Sequence, residues 1–143
     1  DDLFGNYRDY VSSLKEYICT KGLNSAFTFI GFQYDINRYL NDLDVLIHCA
    51  ENEPFGRAIL ESMILEKPAI AYDSGGVRET ITNNGTGFLV PVYNCYKMAE
   101  KLVLLLQNEN MKKSFGTCGK NRAQTYFSSI ESTRKIEAVI SKC

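Results

Sequence analysis

At 143 residues, the chain has the length of one domain that can bury a hydrophobic core. Its 16 Lys and Arg residues nearly balance 17 Asp and Glu residues, which excludes the basic footprint of a nucleic-acid-binding protein. The sequence has neither an apolar run of membrane-spanning length nor the start of a signal peptide. Its five widely spaced cysteines, without a C-x-x-C pair, argue against disulfides and zinc and predict a reducing, cytoplasmic location.

Helical and strand patterns alternate along the chain. The predicted helices are Tyr7–Cys19, Asp35–Leu43, one that starts at Arg57, Val77–Ile81, Tyr96–Gln107, Met111–Tyr126 and Ile130–Ser141. The predicted strands are Ala26–Ile30, Val45–Cys49, Ala69–Tyr72 and Gly87–Val90. Short apolar strands between helices are typical of a parallel sheet covered on both faces. We therefore predict one α/β domain over residues 1–143, with a doubly wound, Rossmann-like parallel sheet and a helical C-terminal tail.

Such a sheet binds ligands beyond the carboxyl ends of its strands. Three predicted loops follow strands and so belong to this rim: Gly31–Asp35, Ala50–Gly56 and Asp73–Gly76. We expect these loops to lie side by side and to form the ligand site.

Two carboxylates, Glu53 and Glu61, stand eight positions apart in the second rim loop and the helix after it. Pro54 and Gly56 disfavour helix, so Glu53 belongs to the loop and Glu61 lies about two turns inside the helix. A helix N-terminus suits phosphate, because its N–H groups are unpaired and it carries partial positive charge. Carboxylates are good acceptors for sugar hydroxyls, so the combination predicts a nucleotide-sugar pocket.

Several short motifs follow one another in order between residues 29 and 91. They are Phe29-Ile30-Gly31-Phe32, Leu43-Asp44-Val45, Glu53-Pro54-Phe55-Gly56 with Glu61 (E-x7-E), Lys67-Pro68, Gly75-Gly76-Val77-Arg78-Glu79 and Asn84-Gly85-Thr86-Gly87-Phe88-Leu89-Val90-Pro91. In this order and spacing, the chain resembles the C-terminal nucleotide-sugar-binding domain of retaining glycosyltransferases with the GT-B fold, the family called group 1 or family 4.

The resemblance implies a role for each matching residue. Glu53 would be the catalytic group that faces the donor sugar, and Glu61 would accept hydrogen bonds from the ribose hydroxyls. The other donor-binding residues that the resemblance implies are Phe55, Gly56 and Arg57 at the sugar and diphosphate, Gly31 and Phe32 beside the base, and Gly75 and Gly76 flanking the site.

The resemblance also implies a reaction. The enzyme would transfer a sugar from a UDP- or GDP-linked donor, with retention of configuration, to a glycan or lipid-linked acceptor in polysaccharide biosynthesis. It would use no cofactor and no metal ion. The full-length enzyme would work in the cytoplasm and could associate peripherally with the inner face of the membrane. The alternative is a non-catalytic α/β module that binds nucleotide sugars or serves assembly.

The chain departs from the family pattern in two ways. The family's C-terminal domain normally starts with two further strands that supply an Arg and a Lys for the donor diphosphate, and an acceptor-binding domain precedes it. We therefore expect an N-terminally truncated donor-binding domain that does not turn over alone. Glu66 also stands where the family usually has glycine. A residue other than glycine pays roughly 1 kcal/mol to adopt the left-handed conformation that often ends a helix. We therefore expect this helix to end without such a left-handed residue at position 66.

Some roles stay open from the residues alone. Arg57 can face either solvent or phosphate. Asp73 can stabilise its own turn or contact a ligand, and Gly75-Gly76 can form an ordinary strand-to-helix turn. His48, the one histidine, lies at the end of an apolar strand and is expected to be a packed residue rather than a base.

Overall fold

The computed structural model describes residues 5–140, which form two compact units, an N-terminal unit (residues 5–34) and a sheet unit (residues 35–140). The N-terminal unit consists of helix α1 (Gly5–Thr20), a 3-10 turn (Asn24–Ala26) and an irregular segment that follows. Helix α1 confirms the first predicted helix. Its Ile18 is buried, whereas Tyr10 and Tyr17 are exposed.

The predicted strand Ala26–Ile30 is wrong, because residues 27–33 have no regular secondary structure. Phe27, Phe29 and Ile30 are about half-exposed. A strand must pair its backbone N–H and C=O groups with a neighbouring strand. The described part of the N-terminal unit offers a helix and a turn but no second extended segment. The apolar composition of this segment is therefore not sufficient to make it a strand.

The sheet unit confirms the remaining predicted elements to within a few residues, as far as they fall within residues 5–140; Ser141 lies outside them. Its helices are α2 (Asn37–Asp42), α3 (Arg57–Ile64), α4 (Val77–Thr80), α5 (Cys95–Gln107), α6 (Glu109–Tyr126) and α7 (Ser129–Ile140). Its strands are β1 (Leu46–His48), β2 (Ala69–Tyr72) and β3 (Gly87–Val90). We call residues 49–56 the β1–α3 loop and residues 73–76 the β2–α4 loop.

The three strands form a parallel sheet in the order β1-β2-β3. His48 pairs with Ala71, and Tyr72 pairs with Val90, so the three strands end at neighbouring positions. Their carboxyl ends consequently form one rim, to which the β1–α3 and β2–α4 loops both belong. The predicted parallel α/β architecture is confirmed.

Strand β2 lies between two hydrophobic clusters, and its residues alternate between them. Ala69 and Ala71 belong to the first cluster, and Ile70 and Tyr72 belong to the second. The rest of the first cluster comes from α3 (Ile59 and Met63), α4 and the residue after it (Val77 and Ile81) and α6 (Ala123). The second cluster draws Met98 and Leu105 from α5, Phe115 from α6, and Phe88 and Val90 from β3. Successive strand residues point to opposite faces, so the sheet is covered on both sides.

Helix α3 ends in the left-handed conformation that glycine would adopt most easily. Glu66 has φ +59°, and its N–H donates to the Met63 carbonyl at 3.0 Å, while the Lys67 N–H donates to the Ser62 carbonyl at 2.9 Å. These two bonds form a Schellman motif. The expectation that Glu66 ends the helix differently is therefore wrong. Lys120 Nζ lies 2.8 Å from Glu66 Oε1 and thereby links the strained residue to α6.

Candidate functional site

The β1–α3 and β2–α4 loops lie against each other, as predicted. The Gly76 N–H donates a hydrogen bond of 2.8 Å to the Glu53 carbonyl. A Cβ atom on Gly75 would lie 2.4 Å from the Glu53 carbonyl oxygen, and one on Gly76 would lie 2.0 Å from the Pro54 carbonyl oxygen. Any side chain at either glycine would thus force the loops apart. The Gly75-Gly76 pair therefore permits this close packing, and its predicted place beside the donor stays a prediction.

The Glu53 carboxylate is held at both of its oxygens. Oε1 accepts hydrogen bonds from the backbone N–H groups of Gly56 at 2.9 Å and Phe55 at 3.4 Å, and Oε2 lies 3.2 Å from His48 Nε2. The Gly56 N–H, followed by the Phe55 N–H, lowers the pKa of Glu53 from its usual value of 4.5, with a smaller contribution from His48. The carboxylate consequently stays ionised at neutral pH and can act only as a hydrogen-bond acceptor.

Gly56 is the residue that turns the chain into α3. Its φ of +81° lies in the left-handed region, which suits glycine, and its carbonyl accepts hydrogen bonds from Ile59 and Leu60. Within residues 5–140, the N–H groups of Arg57 and Ala58 have no hydrogen-bond partner. Both N–H groups lie at the positive end of the helix dipole, so they can donate hydrogen bonds to an anionic ligand.

Glu61 lies one turn along α3 from Arg57, and the two side chains form an ion pair of 3.0 Å. The Arg57 side chain is 87% exposed and that of Glu61 is 32% exposed. Because an exposed ion pair contributes little energy, a ligand could replace either partner at small cost. Phe55 is partly exposed, and its ring packs edge-on against that of Phe127 with 5.8 Å between the ring centroids.

Asp73 stabilises its own loop. Its Oδ1 accepts a hydrogen bond of 2.6 Å from Arg78 Nε, and its carbonyl accepts from Arg78 Nη2 at 3.1 Å. These contacts fit the turn-forming role, and a contact of Asp73 with a ligand stays a prediction. The backbone carbonyl of Glu79 accepts from Arg122 at 2.6 Å, and this contact joins α4 to α6.

Gly31 and Phe32 belong to the N-terminal unit. Gly31 has a left-handed φ of +63°, and Phe32 is exposed with its ring edge against Tyr34 at 5.1 Å. Their predicted position beside the base stays a prediction.

The structure brings three residues to Glu53 or its loop to which the sequence analysis gave no role in the site. His48 was expected to be packed, and its side chain is 18% exposed, but it contacts Glu53. Asn52 and Ser74 are joined by hydrogen bonds across the two loops. Asn52 directly precedes the motif residue Glu53, and Ser74 directly precedes the motif residue Gly75. This adjacency to the motifs is the one feature of the sequence that could have indicated their place near the site.

Among residues 5–140, no group of three or more His, Cys, Asp and Glu side chains could hold a metal ion. Of the helices between these residues, none combines the length and apolar character that a membrane crossing needs. The four cysteines in this range, Cys19, Cys49, Cys95 and Cys118, are free.

A family model for glycosyl transferases group 1 matches residues 3–122. The capsular polysaccharide biosynthesis glycosyltransferase CapM of Staphylococcus aureus is 31% identical over 91 residues, which are 64% of this chain and 24% of CapM. This chain thus spans about a quarter of the length of that relative.

Solved structures give the same result. Anabaena HepE in complex with UDP is 27% identical with a TM-score of 0.92, and the match covers 99% of this chain and 39% of HepE. HepE in complex with UDP-glucose is 28% identical with a TM-score of 0.88, over 100% of this chain and 39% of HepE. The fold matches a domain of GT-B glycosyltransferases, and the extent of the family match settles membership. The chain belongs to the group 1 glycosyltransferase family.

Proposed function

We propose that this chain is the donor-binding portion of a retaining glycosyltransferase, which transfers a sugar from a nucleotide-diphosphate sugar to a glycan or lipid-linked acceptor. Family membership supports the reaction class. HepE, which shares the fold, has been crystallised with UDP and with UDP-glucose, and this supports a uridine donor over a guanosine donor.

One observation carries the proposal: two carboxylates flank the open N-terminus of α3. Glu53 lies just before the helix, and Glu61 lies 32% exposed within it. The free N–H groups of Arg57 and Ala58 lie between them in sequence. In the proposed complex, these amides and the Arg57 guanidinium bind the diphosphate, Glu61 accepts hydrogen bonds from the ribose, and Glu53 faces the donor sugar.

This arrangement would assist the departure of the nucleotide. Negative charge develops on the diphosphate as its bond to the sugar breaks, and fixed donors at a helix N-terminus stabilise such charge without reorganisation. The ionised Glu53 would favour positive charge on the sugar. Together these effects assist bond cleavage, and retention of configuration is part of the proposal on the basis of the family resemblance.

Nucleotide titration followed by ¹⁵N NMR tests the donor site in the purified chain. We expect UDP to shift the amide signals of Arg57, Ala58 and Glu61 more than those of α5 and α7. Glu61→Gln should weaken UDP binding by about tenfold, because a charge-assisted hydrogen bond to the ribose is lost.

Glu100→Gln is the matched control, since Glu100 also forms a surface ion pair, with Lys97, but on α5. The control should bind UDP as the unchanged chain does. GDP is titrated in parallel to compare the two bases. Absence of shifts at the start of α3 with both nucleotides would contradict the proposal, and equal losses in the two variants would contradict the role of Glu61.

A further inference from the structure

We propose that Ser74 is a positioning residue for Glu53, and that its hydroxyl acts through the backbone of Asn52. The inference rests on the proposed function in one respect, namely that Glu53 faces the donor sugar. It assigns to the β2–α4 loop a task in the site beyond flanking it.

The link between the two loops is a reciprocal hydrogen-bonded contact. The Asn52 N–H donates to Ser74 Oγ at 3.0 Å, and Ser74 Oγ lies 3.3 Å from Asn52 Oδ1, to which it donates. Ser74 is 9% exposed, so its hydroxyl is largely shielded from water. A shielded hydroxyl that makes both of these bonds fixes its partner more firmly than an exposed one does.

Asn52 needs such a restraint because of its backbone conformation. Its φ of +55° lies in the left-handed region, which asparagine tolerates better than most residues but which is still unfavourable. An unrestrained loop would be free to leave this conformation. A change of φ at Asn52 would turn the following peptide and carry Glu53 with it.

The β2–α4 loop also holds the backbone on the other side of Glu53. The Gly76 N–H donates to the Glu53 carbonyl at 2.8 Å, two residues after Ser74. The backbone of Glu53 is therefore held before and after its Cα atom by one loop. With the backbone fixed, Oε1 of the side chain reaches the Gly56 N–H at 2.9 Å, so the direction of the carboxylate depends on the Ser74 contact.

The first measurement is the titration of Glu53 in the purified chain, followed through its carboxyl ¹³C signal. Removing the hydroxyl in Ser74→Ala should raise the pKa of Glu53 toward its usual 4.5, because the loop no longer holds the carboxylate against the Gly56 N–H. Ser74→Thr keeps a hydroxyl and should restore the lower pKa.

Thr80→Val is the matched control. Thr80 is fully buried and its hydroxyl donates to the Val77 carbonyl at 2.9 Å, within α4 and away from the Glu53 loop. This variant also loses a buried hydroxyl and some stability, so it separates a general loss of stability from a specific effect. It should leave the pKa of Glu53 unchanged.

The second measurement compares UDP-glucose with UDP by calorimetry. In Ser74→Ala we expect affinity for UDP-glucose to fall about fivefold, the size of one lost hydrogen bond, while affinity for UDP alone stays within about twofold. The difference follows because Glu53 would contact the sugar and Glu61 the ribose. A purely structural defect would weaken both ligands equally.

The third measurement needs no variant and so remains decisive if Ser74→Ala does not fold. Hydrogen exchange of the Asn52 amide in the unchanged chain should be slow, although Asn52 is exposed. Exchange at the rate of an unstructured amide would overturn the inference, as would an unchanged Glu53 pKa in Ser74→Ala. If the unchanged chain binds no nucleotide, the proposed function fails, and the titration and exchange still decide the role of Ser74.

Discussion

The two ends of α3 both use a residue in the left-handed region, but the surrounding structure differs. At the start stands Gly56 with φ +81°, and just after the end stands Glu66 with φ +59°. The start leaves the N–H groups of Arg57 and Ala58 without partners among residues 5–140. At the far end, a Schellman motif satisfies backbone carbonyls, and α6 packs closely. We refer to these as the open end and the closed end of α3.

Comparing the two ends shows where the chain tolerates conformational strain. At the closed end, the carbonyl of Glu66 lies 2.1 Å from where a Gly116 Cβ atom would be, and Lys120 pairs with the Glu66 side chain. Tertiary contacts there stabilise a residue that is locally unfavourable. At the open end, the carboxylate of Glu53 covers the Gly56 N–H and leaves the next two amides available. One end contributes to stability, and the other is suited to binding.

The largest effect is expected from Gly116→Ala at the closed end. Its Cβ atom would clash with the Glu66 carbonyl, which is backbone and cannot move easily, so the free energy of unfolding should fall by about 3 kcal/mol. Urea unfolding measures the change. Gly119→Ala is the control on the same helix, because its Cβ atom would lie 3.3 Å from the Cγ atom of the Met63 side chain rather than against backbone. We expect the control to change stability by less than about 1 kcal/mol. Equal losses in both variants would mean that α6 does not pack on Glu66 as described.

A smaller effect of opposite sign is expected from Glu66→Gly. Glycine relieves the left-handed strain, and the lost ion pair with Lys120 is exposed and weak, so the melting temperature should rise by about 3 °C. Lys120→Met removes the same ion pair without relieving the strain, and it should lower the melting temperature slightly. A lower melting temperature in Glu66→Gly would show that the ion pair outweighs the backbone strain.

The smallest expected effect is a change of pKa with salt, which should differ between Glu53 at the open end and Glu66 at the closed end. The Gly56 N–H lowers the pKa of Glu53, and the hydrogen bond and charge of Lys120 lower that of Glu66. Both carboxyls therefore add stability above their usual pKa of 4.5 that is lost as the pH falls through their folded values. In about 1 M NaCl the pKa of Glu66 should rise toward 4.5, because salt screens an exposed ion pair, while that of Glu53 should change little. Carboxyl ¹³C NMR measures both, and equal shifts would contradict the assigned causes.

The sheet unit was predictable because its signals are local and agree with one another. Ala69–Tyr72, for example, is an apolar run between helices, and it forms strand β2. The strand predicted at Ala26–Ile30 failed for the complementary reason. An apolar run indicates that a segment tends to be buried. To form a strand, however, its backbone N–H and C=O groups must also find hydrogen-bond partners on a neighbouring strand.

The candidate site was predictable as a set of residues rather than as a geometry. Glu53, Gly56 and Glu61 follow from the motif, and Gly75 and Gly76 follow from the glycine pair. The contacts of His48 with Glu53 and of Ser74 with Asn52 could not be predicted in this way. They join residues 5 and 22 positions apart, which come together only because the strand ends are adjacent in the sheet. The pattern of any one segment does not show which partner an adjacent segment will offer.

Sequence patterns alone predict the parallel α/β sheet of residues 35–140, the family, and the carboxylates on either side of the start of α3. Periodicity and motif spacing suffice for these because they depend on neighbours along the chain. Three features become visible only in the folded chain: Glu66 takes a left-handed conformation, residues 27–33 form no strand, and Ser74 contacts Asn52. Each of these features depends on a contact with a residue distant in sequence, or on the lack of such a contact within its own described unit. Local conformational propensities are on the order of 1 kcal/mol, which is too small to outweigh such tertiary contacts.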